Sequence, residues 1–190
     1  ERAVAEIPIA LDGIVLIVHR SNPVRGLSVE QVRRVFTGSV GNWRTLGGED
    51  RRITVITREE GSGTRASFED KVMTPAHTDL SRSRPAPEPF AADALVQDSN
   101  GAVREIVASD PAAIGYISFG LVDERVRALE LEGVAPSHDG IKTGAYPLVR
   151  RFLFLTCGKV GPAARRFIDF ALSPEGQQIL EEEGLTTINQ

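Results

Sequence analysis

Residues 53–65 read I-T-V-I-T-R-E-E-G-S-G-T-R. The first five are apolar or β-branched and predict a short strand. From Thr64 to Met73 the pattern is helical, with Phe68 and Val72 four residues apart on one face. Between strand and helix, Gly61 and Gly63 bracket Ser62. Glycines let a backbone approach a ligand closely. A helix start presents unpaired N–H groups and the positive end of its dipole. Ser62 and Thr64 add hydroxyl donors. Arg58, at the strand's end, adds a guanidinium suited to bidentate contact with a tetrahedral oxyanion. Converging on one point, these groups have the chemistry that a phosphate or sulfate needs. The same residues fit a plain Gly/Ser turn in which Ser62 or Thr64 caps the helix, and residue types alone weigh the two readings equally.

Neighbouring motifs do not match. A P-loop needs G-x-x-x-x-G-K-[ST], and this stretch has no lysine. The spacing of the dinucleotide fingerprint breaks after Gly63. A serine nucleophile in a G-x-S-x-G elbow is not matched by E-G-S-G-T.

Working outward, I-P-I-A-L-D-G-I-V-L-I-V (7–18) reads as a long strand covered on both faces, kinked between Pro8 and Gly13. S-N-P-V-R-G (21–26) is a turn cluster. Ser28 opens a helix through a capping box with Gln31, and Val29, Val32, Val35 and Phe36 make its inner face. Trp43 is a core anchor under the loop that follows. The Pro/Ser-rich stretch 75–90 is a surface loop. A helix runs from Ser99 to about Ser109, then strands at 114–118 and 126–131. After a strand at 148–156, a helix at 161–172 carries Ala164, Phe167, Ile168 and Ala171 on one stripe. S-P-E-G (173–176) caps a last helix to about Glu183, with Gly184 as its C′ residue. Strands and helices alternate, which favours an α/β architecture. There is no internal repeat.

Composition narrows the function classes. The chain has 190 residues, 41% of them hydrophobic, enough for one domain or two small lobes. A net charge of -4 argues against a nucleic-acid surface, which needs a basic field. The acidic run Glu181-Glu182-Glu183 reads as a solvated helix face. A single cysteine, Cys157, excludes an internal disulfide. Its apolar neighbours, F-L-F-L-T-C, predict a buried thiol. His19, His77 and His138 are scattered, so no metal-ligand spacing appears. No apolar run approaches the ~20 residues of a membrane span, and no signal peptide is visible. The opening E-R-A-V-A-E, without Met, reads as a mature or trimmed start.

R-E-E-G-S-G-T-R-A-S-F-E (58–69) resembles the signature segment of the substrate-binding proteins of bacterial phosphate ABC transporters, within the type 2 periplasmic binding proteins. The resemblance extends in order over nearly the whole chain. I-P-I-A-L-D-G-I-V-L-I-V-H-R-S-N-P-V is similar to the family's strand into the second lobe. L-S-V-E-Q-V-R-R-V-F-T-G-S-V-G-N-W is similar to its helix and Trp loop. N-G-A-V-R-E-I-V-A-S-D-P-A-A-I-G-Y-I-S, Y-P-L-V-R-R and F-I-D-F-A-L-S-P-E-G-Q-Q-I-L are similar to its later elements.

The resemblance implies a mixed sheet flanked by helices in two lobes that close on the ligand by a hinge. Residues 11–145 would form the second lobe. Residues 1–10 and 146–190 would form hinge strands and the C-terminal part of the first. By motif position, Arg58, Ser62, Gly63 and Thr64 would contact the oxyanion. Glu60 stands where the family often carries an acid that braces the arginine, and it fits a solvent-exposed loop acid equally well. Arg65 would steer anions or be a solvated helix charge, the second being the stronger reading. Asn100 and Gly101 begin a helix that would face the cleft. Tyr116 and Tyr146 are packing residues.

The chain departs from the family at its start, where most of the first lobe is expected. That portion would bring further donors and the carboxylate that accepts a proton from phosphate and so rejects sulfate. The expectation is half of a site, with weak binding and poor choice between the two anions. The strands at 7–10 and 148–156 would pair and leave apolar faces exposed. A segment outside this sequence, a dimer or a remodelled lobe would cover them. The expected function is non-enzymatic: phosphate, or another oxyanion such as sulfate, is bound and passed to ABC permease subunits, in the periplasm or at the cell surface. No cofactor or metal is implied. A sensing, adhesion or partner-binding module on the same fold is the alternative. An enzyme on phosphorylated substrates would need a general base or metal set that the anion loop lacks.

Overall fold

The apolar run at 7–18 becomes the spine of the molecule. In the computed structural model, which describes residues 4–75 and 85–188, it lies within a 16-residue strand, β1 (Val4–His19). In chain order there follow β2 (Gly26–Leu27), α1 (Val29–Phe36), β3 (Thr54–Arg58), α2 (Gly63–Phe68) and β4 (Leu95–Gln97). The chain continues through α3 (Asn100–Ser109), β5 (Ala113–Ser118), β6 (Val126–Ala128), β7 (Glu130–Leu131) and α4 (His138–Thr143). It ends with β8 (Val149–Cys157), α5 (Pro162–Leu172) and α6 (Pro174–Glu182).

β1 serves two ladders in succession. Its first part, Val4–Gly13, pairs antiparallel with β8, from Val4 opposite Cys157 to Gly13 opposite Val149. The register shifts between Pro8 and Ala10, where proline has no N–H to give the ladder. Its second part, Ile14–Val18, pairs antiparallel with β5 on one edge, and Ile17–His19 with β6 on the other. β3 then joins β5 in parallel, and β4 joins β3 in parallel, which makes a mixed sheet in the order β4-β3-β5-β1-β6. Ile14 to Val18 are completely buried, as the uninterrupted Val/Ile/Leu run requires.

Local signals operate as read. Ser28 and Gln31 close a reciprocal capping box at α1, and Val32, Val35 and Phe36 face the core. Trp43 is 1% exposed and donates its indole N–H to the Ala112 carbonyl at 2.8 Å. Gly184 follows α6 with positive φ, and Glu181 to Glu183 are exposed. The side chain of Gln177 binds three backbone groups, those of Ile9, Ala171 and Ile188. With the reciprocal Leu11–Thr186 bonds, it holds the C-terminal tail against the middle of β1.

Two expectations are corrected. Cys157 is exposed, not buried. It ends β8 opposite Val4, itself 61% exposed, so the apolar run leaves the covered part of the sheet before it ends. The α5 stripe is likewise only partly covered: Ile168 is buried, but Phe167 is 61% exposed, with its ring tilted against Phe154. The expected loop 75–90 is irregular from 85 to 90, while residues 76–84, with His77, lie outside the described residues. Short elements were missed, among them α4 and β4, whose runs are too brief to show a period.

Candidate functional site

β3 ends at Arg58 with its last four residues buried. It is parallel to both neighbours, so its carboxyl end opens where ligands bind in α/β sheets. The chain then turns: the Ser62 N–H donates to the Glu59 carbonyl at 3.3 Å, and Gly61 takes φ of 90°, which a Cβ would oppose. Ser62 caps α2, its Oγ accepting from the Arg65 N–H. The N–H groups of Gly63 and Thr64 and the Thr64 hydroxyl hydrogen-bond to no described residue. Gly63 is exposed, while Ser62 and Thr64 are buried.

The sheet and α2 are clamped together by Tyr116. Its ring stacks on Phe68 with centroids 4.0 Å apart. Its hydroxyl lies 2.8 Å from the Thr57 hydroxyl and accepts from the Arg58 N–H at 3.3 Å. Burial pushes the Tyr116 phenol above its ordinary range, so it stays a neutral donor. Tyr116→Phe strands the Thr57 hydroxyl and the Arg58 amide. The expected cost is about 1–3 kcal/mol, read as a lower urea midpoint with unchanged slope.

Arg58 is fully engaged. Nε and Nη2 donate to the two Glu59 carboxylate oxygens at 2.9 and 3.0 Å, Nη1 donates to Asn100 Oδ1 at 3.0 Å, and Nη2 also reaches the Asp98 carbonyl. The bracing acid is therefore Glu59 and not Glu60, which is exposed; adjacent along the chain, Glu59 folds back onto the arginine where the turn carries Glu60 outward. The hydrogen bond from Arg58 holds the Glu59 carboxyl below the usual range. Asn100 joins the cluster. Gly101 does not, having only the Ser99 hydroxyl near its open face. Arg65 is not solvated: it pairs with Glu69 at 2.8 Å, donates to the Arg58 carbonyl and lies over the Phe90 ring. Helical spacing sets the first contact, and folding of distant residues supplies the others.

A second arginine arrives from β8 and was not foreseen. Arg150 binds Asp12 through Nε at 2.8 Å and Nη2 at 2.7 Å, and Asp12 also accepts from Ser118 at 2.6 Å. The Asp12 side chain is completely buried. A signal existed: an aspartate inside an apolar strand demands a partner. The site thus offers backbone amides, a hydroxyl and two guanidinium groups, while Glu59 and Asp12 are held by arginine and Glu60 is exposed on the turn. Among the described residues no acidic, His or Cys cluster could hold a metal, and no helix is long and apolar enough to cross a membrane.

Known proteins resemble this chain in sequence and in fold. The sequence pattern of the PBP superfamily domain matches residues 1–175. The phosphate-binding protein PstS of Bacillus subtilis is 32% identical over 185 residues, covering 96% of this chain; the chain spans 57% of that relative's length. A Clostridium perfringens crystal structure, of a phosphate ABC transporter substrate-binding protein with bound phosphate, superposes with a TM-score of 0.84 at 36% identity, over 98% of this chain and 72% of that one. An ABC-type phosphate transport receptor from Vibrio cholerae gives 0.84 at 33%, over 98% and 74%. By pattern, identity and fold, this chain belongs to the PBP superfamily and, within it, to the family of phosphate ABC transporter substrate-binding proteins.

Proposed function

We propose that this chain binds inorganic phosphate and passes it to the permease of an ABC transporter, outside the cytoplasmic membrane and without enzymatic chemistry. The observation that carries the reading is the pair of amides at Gly63 and Thr64 that bond to no described residue, beside a Thr64 hydroxyl in the same state and within an arginine-rich setting. Ser62, Gly63 and Thr64 contact the anion, with Arg58 as the cation behind them. Asn100 and Glu59 orient Arg58. Residues 11–145 act as one lobe. Residues 1–10 and 146–190 supply the crossing strands and part of the other, a division close to the change of partners along β1, which falls between Gly13 and Ile14.

Discrimination is expected to be poor in this chain. Phosphate differs from sulfate by a proton that a free carboxylate must accept, and Glu59 and Asp12 are both occupied. Titration with each anion at constant ionic strength, followed by the amide resonances of Gly63 and Thr64, tests this. Both anions should shift these amides, with dissociation constants of roughly millimolar order, about -4 kcal/mol. Amides that stay still under saturating phosphate would refute the proposed site.

A further inference from the structure

We infer that Arg150, a residue of β8, is a direct ligand of the bound oxyanion, pre-aimed by Asp12 at the glycine loop; this rests on the phosphate-binding reading above. Of the guanidinium groups near the loop, Arg58 has every nitrogen engaged, and Arg65 is held by Glu69 and the Arg58 carbonyl. Arg150 is not fully engaged. Nε and Nη2 are spent on Asp12, and Nη1 hydrogen-bonds to no described residue. That free arm lies 3.4 Å from the point where a Cβ on Gly63 would stand. Among the described residues it is the one atom that a side chain on Gly63 would meet within 4 Å.

The anchoring is stiff. Asp12 is completely buried, is held on its other oxygen by Ser118, and grips the guanidinium through two nitrogens. The Phe152 ring lies 5.0 Å from the guanidinium carbon. Arginine loses less freedom per hydrogen bond than lysine because its fork is planar and pre-organised. An arm fixed in this way meets an anion at low entropic cost. The neutralising aspartate also sets what Arg150 can do. It donates and cannot accept, so it strengthens binding of phosphate and sulfate alike.

The geometry also ties the ligand to the strand crossing. Arg150 and Asp12 stand opposite each other in the β1–β8 ladder, whereas Gly63 belongs to the β3–α2 loop. An anion bridging Gly63 and Arg150 links the loop to the crossing strands.

Arg150→Lys tests the inference. Lysine keeps a cation against Asp12, so the fold should survive, but it has no second arm for the loop. Phosphate and sulfate affinities should fall together by about tenfold, or 1.4 kcal/mol, with the urea midpoint nearly unchanged. Asp12→Asn with Arg150→Gln, which removes both charges, should show the same loss if lysine alone perturbs the fold. In a Gly63→Ala background, whose methyl fills the gap, Arg150→Lys should cost nothing more, a coupling that a purely structural role would not produce. Unchanged anion affinity in both Arg150 variants, with Gly63 and Thr64 amides still responding to phosphate, overturns the inference and leaves the phosphate reading standing. Amides silent in the unmutated chain overturn that reading, and this inference with it.

Discussion

Arg58→Ala is expected to weaken phosphate binding by about a hundredfold, roughly 2.7 kcal/mol, the order of a change in nearby charge at a protein surface. Two effects act in one direction. The substitution removes the cation behind the loop, and it uncovers the Glu59 carboxylate that the guanidinium now neutralises. A bare carboxylate beside the anion site repels the ligand. Adding Glu59→Gln should therefore recover about tenfold of the loss, by the same order of charge-pair energy. The pH dependence has a definite sign. In the unmutated chain Arg58 holds Glu59 ionised below its usual range, so its pairing persists as pH falls through the ordinary value. In Arg58→Ala the largest cause of that lowering is gone, and Glu59 protonates at a higher pH, closer to its ordinary value. With sulfate as ligand, whose charge is constant there, acidification through this range should restore part of the binding to Arg58→Ala and none to the unmutated chain. Titration by amide shifts at several pH values reads both. Equal affinity of Arg58→Ala and the unmutated chain would remove Arg58 from the site.

Phe68→Ala is expected to cost about 3–5 kcal/mol of unfolding free energy, the range for deleting a large buried aromatic. Phe68 is completely buried. Its ring stacks on Tyr116 at 4.0 Å and meets Phe36 at 4.8 Å, so alanine leaves a cavity bounded by aromatic groups that cannot collapse far. For a domain stable by about 5–15 kcal/mol this is a large share. Urea denaturation should show a lower midpoint with an unchanged slope. The site should suffer too, because Phe68 holds the far end of α2 while Tyr116 holds the strand before the loop. A loss below about 1 kcal/mol would mean the aromatic cluster does not anchor α2.

Much of this was legible in residue order. The Val/Ile/Leu run of β1, the capping box at Ser28 and the strand–glycine–helix reading at 53–73 each rest on neighbours within a few residues. The pairing of 7–10 with 148–156 followed from the resemblance and appears in register, with Ile7 opposite Phe154. Failures share one cause. Cys157 and Phe167 sit in apolar runs, and local pattern predicts burial wherever such a run occurs. Whether another element covers it depends on residues far away. The two readings of Glu60 stayed open for the same reason: Glu59 and Glu60 are indistinguishable as letters, and a turn with positive φ at Gly61 decides which one faces Arg58 and which is exposed.

By itself, the sequence determined the longer elements and the α/β class, because propensity, capping and glycine freedom act over a few bonds, and it offered Arg58, Ser62, Gly63 and Thr64 as a candidate anion loop. Tertiary structure alone decided how the cations are held. Arg58 is caged by Glu59 and Asn100, Arg65 is drawn onto Glu69 and Phe90, and Arg150 is brought beside Gly63 from across the chain. A charged group leaves water only against a partner, and the partner that folding supplies can lie more than a hundred residues away, as Asp12 does from Arg150.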